Sequence, residues 1–161
     1  MDFTQRRILP HAVPSWVEAG ALFFVTICAK ERGTNSLCVE GAGDGLLAAA
    51  RAYHERQIWY ARLVVLMPDH LHALLAVPKE RTLKTVVTQW KSYTAKTLGV
   101  NWQRDFFDHR LRGDESPDAK AAYVRENPVR AGLAGSAQDW RWQWEAGCGE
   151  NGPGRQGSDV A

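Results

Sequence analysis

IWYARLVVLMPDHLHALLAV, residues 58–77, decides the fold of this chain. Residues 58–67 are mostly apolar, with β-branched and aromatic side chains interrupted only by Arg62, and read as a strand. Pro68-Asp69 is a turn, and residues 70–77 read as the next strand. So short a link favours an antiparallel hairpin. Inside the second strand stand His70 and His72. Side chains alternate with period 2, so both imidazoles share one face.

The rest of the chain is built outward from that hairpin. Residues 1–18 carry Arg6, Arg7, Pro10 and Pro14 and read as an irregular N-terminal arm. Residues 21–29 are a buried strand. Asp44 is a candidate N-cap for a helix reaching about residue 57, with Leu46, Leu47, Ala50 and Tyr53 at helical spacing. Thr82 caps a second helix whose stripe is Leu83, Val86, Val87, Trp90, Tyr93 and Thr97, closed by Gly99. Residues 101–112 are a loop leading into a short strand. Ser116-Pro117-Asp118 opens a third helix that Pro128 bends or ends. The order predicts an α+β, ferredoxin-like or RRM-like single domain over 19–145, an antiparallel sheet with helices on one face. From residue 146 the glycine-rich tail is expected to be disordered.

The chemistry begins with the two histidines. Imidazoles placed where valine or leucine would pack need a compensating partner, which favours metal ligands over two solvated histidines. Two ligands leave a metal site unfinished, so something distant must complete it. Tyr123 and Asn127, in AAYVRENP, are a same-face helical pair and could do so. The bland reading has Tyr123 as a core residue and Asn127 as a cap. A phenol, with a pKa of about 10, needs a polarised phosphate or a base before it attacks well. Tyr93, beside Lys91 and Lys96, is a rival nucleophile, but its stripe assigns it to core or stacking. His109, next to Arg110 and Arg112, could be a ligand, a base or a DNA contact. His54 reads as a surface residue. Trp140, Trp142 and Trp144 alternate, and packing suits them better than base stacking.

Composition restricts the function without choosing it. The chain has 161 residues, a net charge of +2 and 24% charged residues. That permits nucleic-acid binding without arguing for it. Three cysteines with no CxxC spacing fit a reducing cytoplasm rather than a disulfide framework. No run reaches the roughly 18 apolar residues of a membrane span, and the N-terminus lacks the apolar core of a signal peptide. Seven tryptophans could offer stacking surfaces to bases where exposed.

MPDHLHALL (67–75) and YVRENPVRAGL (123–133) together resemble the single-tyrosine HUH transposases, IS200-like, in the form of the REP-associated tyrosine transposase branch. RRILPHAVPSW, FFVTICAKERG, QWKSYTAKTLG and FFDHRLRGDES also resemble that branch in order and spacing, over roughly residues 5–134. The resemblance implies an RRM-like fold and binding of single-stranded DNA, often as a hairpin. It implies that His70 and His72 hold Mg²⁺ or Mn²⁺, with Asn127 where insertion-sequence members carry glutamine as third ligand. Tyr123 would attack phosphorus, giving a 5′-phosphotyrosine and a free 3′-OH. Arg6, Arg7, Lys91, Arg110, Arg112, Arg125 and Arg130 are the expected DNA contacts. A homodimer or a monomer is compatible with the resemblance. Two other readings stand beside it: a catalytically silent hairpin-DNA-binding protein derived from a transposase, and an unrelated HxH metal hydrolase.

Overall fold

Residues 22–147 are described by the computed structural model. The expected arm 1–18, with Arg6 and Arg7, and the chain from 148 lie outside the described residues. In order, the elements are β1 (Phe23–Cys28), α1 (Ala42–Glu55), β2 (Tyr60–Leu66), β3 (His70–Ala76), α2 (Leu83–Leu98), β4 (Phe107–Arg110), α3 (Pro117–Arg125), α4 (Asn127–Arg130), a 3-10 turn (Ala137–Asp139) and β5 (Gln143–Glu145).

The quoted hairpin folds as read. β2 and β3 pair antiparallel with Leu66 opposite Leu71, and the Met67 N–H donates to the His70 carbonyl at 2.7 Å. All strand pairs are antiparallel, in the order β4-β1-β3-β2-β5. The first four strands have the ferredoxin-like arrangement expected, and β5 adds to the outer edge of β2.

One expectation needs correction: helices cover both faces of the sheet. Val25, Ile27, Val64, Leu71, Ala73 and Leu75 turn toward α1 and α2, where Leu46, Ala50, Val86, Val87 and Trp90 meet them. Leu63, Val65, Leu74 and Ala76 turn the other way and are covered in part by Ala121 and Val124 of α3. Every residue of β2 is buried. A strand apolar on both sides requires cover on both sides, which is why, Arg62 apart, its sequence is apolar at successive positions instead of alternating.

Other local readings are adjusted. Helix α1 starts at Ala42, and Asp44 stands in its first turn, its carboxylate accepting from the Gly41 N–H at 3.4 Å. Gly43 in that turn lies against the Trp142 ring, 2.4 Å from where a Cβ would sit, so only glycine allows the approach. Tyr93 is 50% exposed, and Thr97 is exposed as well. The buried stripe of α2 is instead Leu83, Val86, Val87, Trp90, Lys91 and Thr94. Of the three alternating tryptophans, only Trp144 lies in β5, although all three pack against the core. His54 is partly buried, with Nδ1 accepting from the Ala61 N–H at 3.1 Å. Ordered packing continues to Ala146, which is buried and donates to the Arg62 carbonyl.

Candidate active site

Strand parity puts His70 and His72 on the α3 face. Their neighbours Leu71 and Ala73 belong to the opposite core. In the ladder His72 stands opposite Thr26 of β1 and Val65 of β2, and Thr26 stands opposite Phe107 of β4. The two imidazoles meet edge to face, with ring centroids 4.8 Å apart.

Each imidazole is tied at Nδ1. His70 Nδ1 lies 2.7 Å from Asp69 Oδ1, and His72 Nδ1 lies 2.9 Å from Thr26 Oγ1. Asp69 is held in turn by the Gly33 N–H at 2.8 Å and by Arg32 at 3.4 Å. Burial would raise the Asp69 carboxyl, but the Gly33 and His70 hydrogen bonds and the Arg32 charge outweigh it and hold it below its usual range. Where Nδ1 of a neutral ring donates to its partner, Nε2 is left with a lone pair. That is the tautomer a metal-binding histidine needs, fixed by a hydrogen bond at its other nitrogen. Burial, then the charges of His70, Lys120, Arg130 and Arg32, push His72 down to about 4, so it is neutral at pH 7. The phenyl ring of Phe24 stacks on it at 5.2 Å.

Helix α3 begins as its sequence dictates. Ser116 Oγ accepts from the Ala119 N–H, and Pro117 occupies the first turn. The helix is fastened to the sheet at both ends. Asp118 pairs with the buried Arg62, and Arg125 pairs with Glu145 of β5. Ala121 and Val124 are buried between these pairs, and Tyr123 is 55% exposed on the outer side. The Arg130 guanidinium lies over the Tyr123 ring at 3.9 Å and donates to both the Tyr123 carbonyl and Asn127 Oδ1, each at 2.7 Å. Lys120 Nζ is 5.5 Å from the Tyr123 ring and 4.4 Å from the Phe24 ring. A shallow depression beside the tyrosine is lined by Glu115, Ser116, Ala119, Lys120 and Tyr123.

The expected site residues therefore separate. His70, His72, Tyr123, Asn127 and Arg130 share one face. α3 ends at Arg125, and Asn127 opens the separate turn α4, in which Pro128 is buried. Lys91 is a correction. It is buried, and its ammonium donates to the carbonyls of Gln103, Arg104 and Asp105 at 2.7, 2.9 and 3.3 Å, so it braces the approach to β4. Arg125 is engaged beneath α3 with Glu145. Arg110 stands opposite Phe23, on the α1–α2 side, and Arg112 is exposed beyond β4. His109 stands opposite Phe24 on the histidine face but pairs with Glu115 at 2.8 Å. No described tryptophan is exposed; the exposed aromatic rings are Tyr93, Phe107 and Tyr123.

Sequence reasoning missed Asp69, Thr26, Phe24 and Lys120. Asp69 was legible only as a turn residue, although a carboxylate directly before HxH is a usable signal. Thr26 and Phe24 become visible only with the β1–β3 register.

Among the described residues no three His, Cys, Asp or Glu side chains cluster as a metal site. The two imidazoles are the nitrogen donors on offer, and an ion held by them would need oxygen ligands from elsewhere. This fits a divalent ion kept open for chemistry.

Comparison with known proteins gives one consistent result. The chain is 25% identical over 138 residues to a Haemophilus influenzae protein provisionally named a REP-associated tyrosine transposase, covering 75% of this chain and 77% of that one. Its fold matches the structure of a REP-associated tyrosine transposase bound to a REP hairpin, with a TM-score of 0.66, 19% identity and coverage of 82% and 81%. It also matches a protein from Deinococcus radiodurans provisionally named a transposase, with a TM-score of 0.50, 19% identity and coverage of 72% and 95%. No family model matches.

Proposed function

We propose, for a chain that belongs by sequence and fold to the REP-associated, IS200-like tyrosine transposases, that it binds single-stranded hairpin DNA and cuts it through Tyr123. The observation that carries this reading is parity. His70 and His72 face the side of the sheet on which α3 lies, and α3 carries Tyr123. A core tyrosine and two solvated histidines would not need that shared face.

His70 and His72 would hold Mg²⁺ or Mn²⁺ through Nε2. Bound there, the ion would supply Lewis acidity to a phosphate oxygen. Asp69 and Thr26 keep the rings in place. Tyr123 Oη attacks phosphorus: the Oη–P bond forms, the P–O3′ bond breaks, the phenol proton leaves to solvent, and the 3′-oxygen takes one up. The phosphotyrosine retains the bond energy, so rejoining needs no external source. Fixed geometry supplies much of the acceleration, because nucleophile and ligands sit on paired, ion-bridged elements rather than loops. The exposed Phe107, 69% accessible on the edge strand, offers a stacking surface to an unpaired base.

The test uses labelled hairpin DNA taken from beside the gene, with Mn²⁺, on a denaturing protein gel. The expected result is a labelled band at protein mass, absent with EDTA and in Tyr123→Phe. A hairpin that shifts on a native gel yet never links would sink the cleavage reading. It would leave a silent hairpin binder, which the engagement of Asn127 Oδ1 by Arg130 also favours.

A further inference from the structure

The cations around the tyrosine are mostly committed. Arg62 and Arg125 are in ion pairs, Lys91 is capped by three carbonyls, and Arg130 donates to two oxygens. Lys120 differs. It is partly buried, yet among the described residues its ammonium has neither an ion pair nor a hydrogen bond; it lies over the faces of Phe24 and Tyr123 and acts on Glu115 only through longer-range charge. The nearby carboxylate of Glu115 is taken by the Arg112 N–H at 3.0 Å and by His109. An ammonium on two aromatic faces is positioned without being tied up in a direct ion pair. It also borders the depression beside Tyr123 and lies close enough to His72 for its charge to be felt there.

We propose that Lys120 is a further catalytic residue, its ammonium binding a non-bridging oxygen of the phosphate that Tyr123 attacks. The proposal rests on the reading of Tyr123 as nucleophile. His70 and His72 would hold a metal on the sheet side of that phosphate, and Lys120 would face it from the helix. One α-helical turn separates Lys120 from Tyr123, so both point to the same outer side. As the Oη–P bond forms and the P–O3′ bond breaks, negative charge grows on the equatorial oxygens. Lys120 stabilises it while keeping its own protons, so proton balance is unchanged. Removing one such preorganised donor typically costs on the order of 10²–10³ in rate.

The experiment is single-turnover linkage of hairpin DNA at saturating protein, with affinity measured separately by anisotropy in EDTA. Lys120→Ala is expected to slow linkage about 100-fold while leaving affinity nearly unchanged. Lys120→Arg recovers a substantial part, and urea midpoints confirm that both variants are folded. With a neutral methylphosphonate at the scissile position, wild type and Lys120→Ala are expected to converge. The proposal is overturned if Lys120→Ala links at the wild-type rate. It is also overturned if only affinity falls, which would make Lys120 a plain DNA contact, or if the variants still differ on the methylphosphonate. Absence of any adduct with wild type would instead bring down the Tyr123 reading, and this role with it.

Discussion

Asp69 holds the Nδ1 of His70 at 2.7 Å while being held itself by Gly33 and Arg32. Such a partner fixes tautomer and ring orientation, and its loss typically lowers metal affinity 10–100-fold. Asp69→Ala is therefore expected to weaken Mn²⁺ binding by about that factor, measured by calorimetry without DNA. Asp69→Asn, which can still accept from Nδ1–H, should lose less. Equal affinities in all three proteins would remove Asp69 from this role. Imidazole donors also favour borderline ions over Mg²⁺, so adduct formation should be faster with Mn²⁺; rates equal or higher with Mg²⁺ would count against the histidine assignment. His54 gives a residue-scale pH prediction far from the chemistry. Its burial disfavours the charged ring and lowers its pKa, and Nδ1 must stay unprotonated to accept from Ala61. The unfolded chain, with a histidine pKa near 6.5, then takes up the proton first. The His54 contribution is complete above about pH 6.5 and declines as pH falls below it. His54→Gln should shrink the difference between urea midpoints at pH 7.5 and pH 5; an unchanged difference would refute the coupling.

At the scale of elements, α3 depends on charge more than on apolar area. Only Ala121 and Val124 are buried along it, and its ends are tied by Arg62–Asp118 and Arg125–Glu145. The Arg62 guanidinium is almost wholly buried, with Nε unsatisfied. Removing one partner of a buried pair costs about 3–5 kcal/mol when the charge left behind is buried, as Arg62 would be, and much less when it is left in water, as Asp118 would be. Asp118 is largely exposed, so water tempers the loss. Asp118→Ala should cost about 1–3 kcal/mol by this argument, and Arg62→Met clearly less, by urea denaturation. The reverse order would show that Arg62 acts through its own packing. Much of this scale was legible in the chain. The β2–β3 hairpin followed from an apolar run and a two-residue turn, and the starts of α2 and α3 from Thr82 and from Ser116-Pro117. What was not legible depended on partners distant in sequence. The stripe of α2 was read through Tyr93 because Lys91 looked polar, and only the carbonyls of 103–105 make a buried lysine acceptable. The cover on the second sheet face was hidden for the same reason: α3 is short and mostly polar, and its contacts with β2 come from residues more than 50 positions away.

At the scale of the molecule, the arrangement of the two half-sites is decided by which sheet α3 lies on. Here α3 lies on the sheet of its own chain, held by Arg62 in β2 and Glu145 in β5. The histidines of β3 lie on that same sheet face. Swapping α3 onto a second copy would break both ion pairs and uncover Leu63, Val65 and Leu74, an exchange that gains only the same contacts elsewhere while ordering a second chain. Each chain should therefore carry a complete site in cis, whether or not two copies associate. Mixing Tyr123→Phe with a His70→Ala/His72→Ala double variant tests this directly. Under the cis arrangement neither half can lend the other its missing group, so the mixture forms no DNA adduct at any concentration. If the helices exchange, mixed pairs contain one intact combination of tyrosine and histidines, and linkage returns as the ratio approaches unity. Recovery of adduct would overturn the cis arrangement and make the two ion pairs contacts between chains.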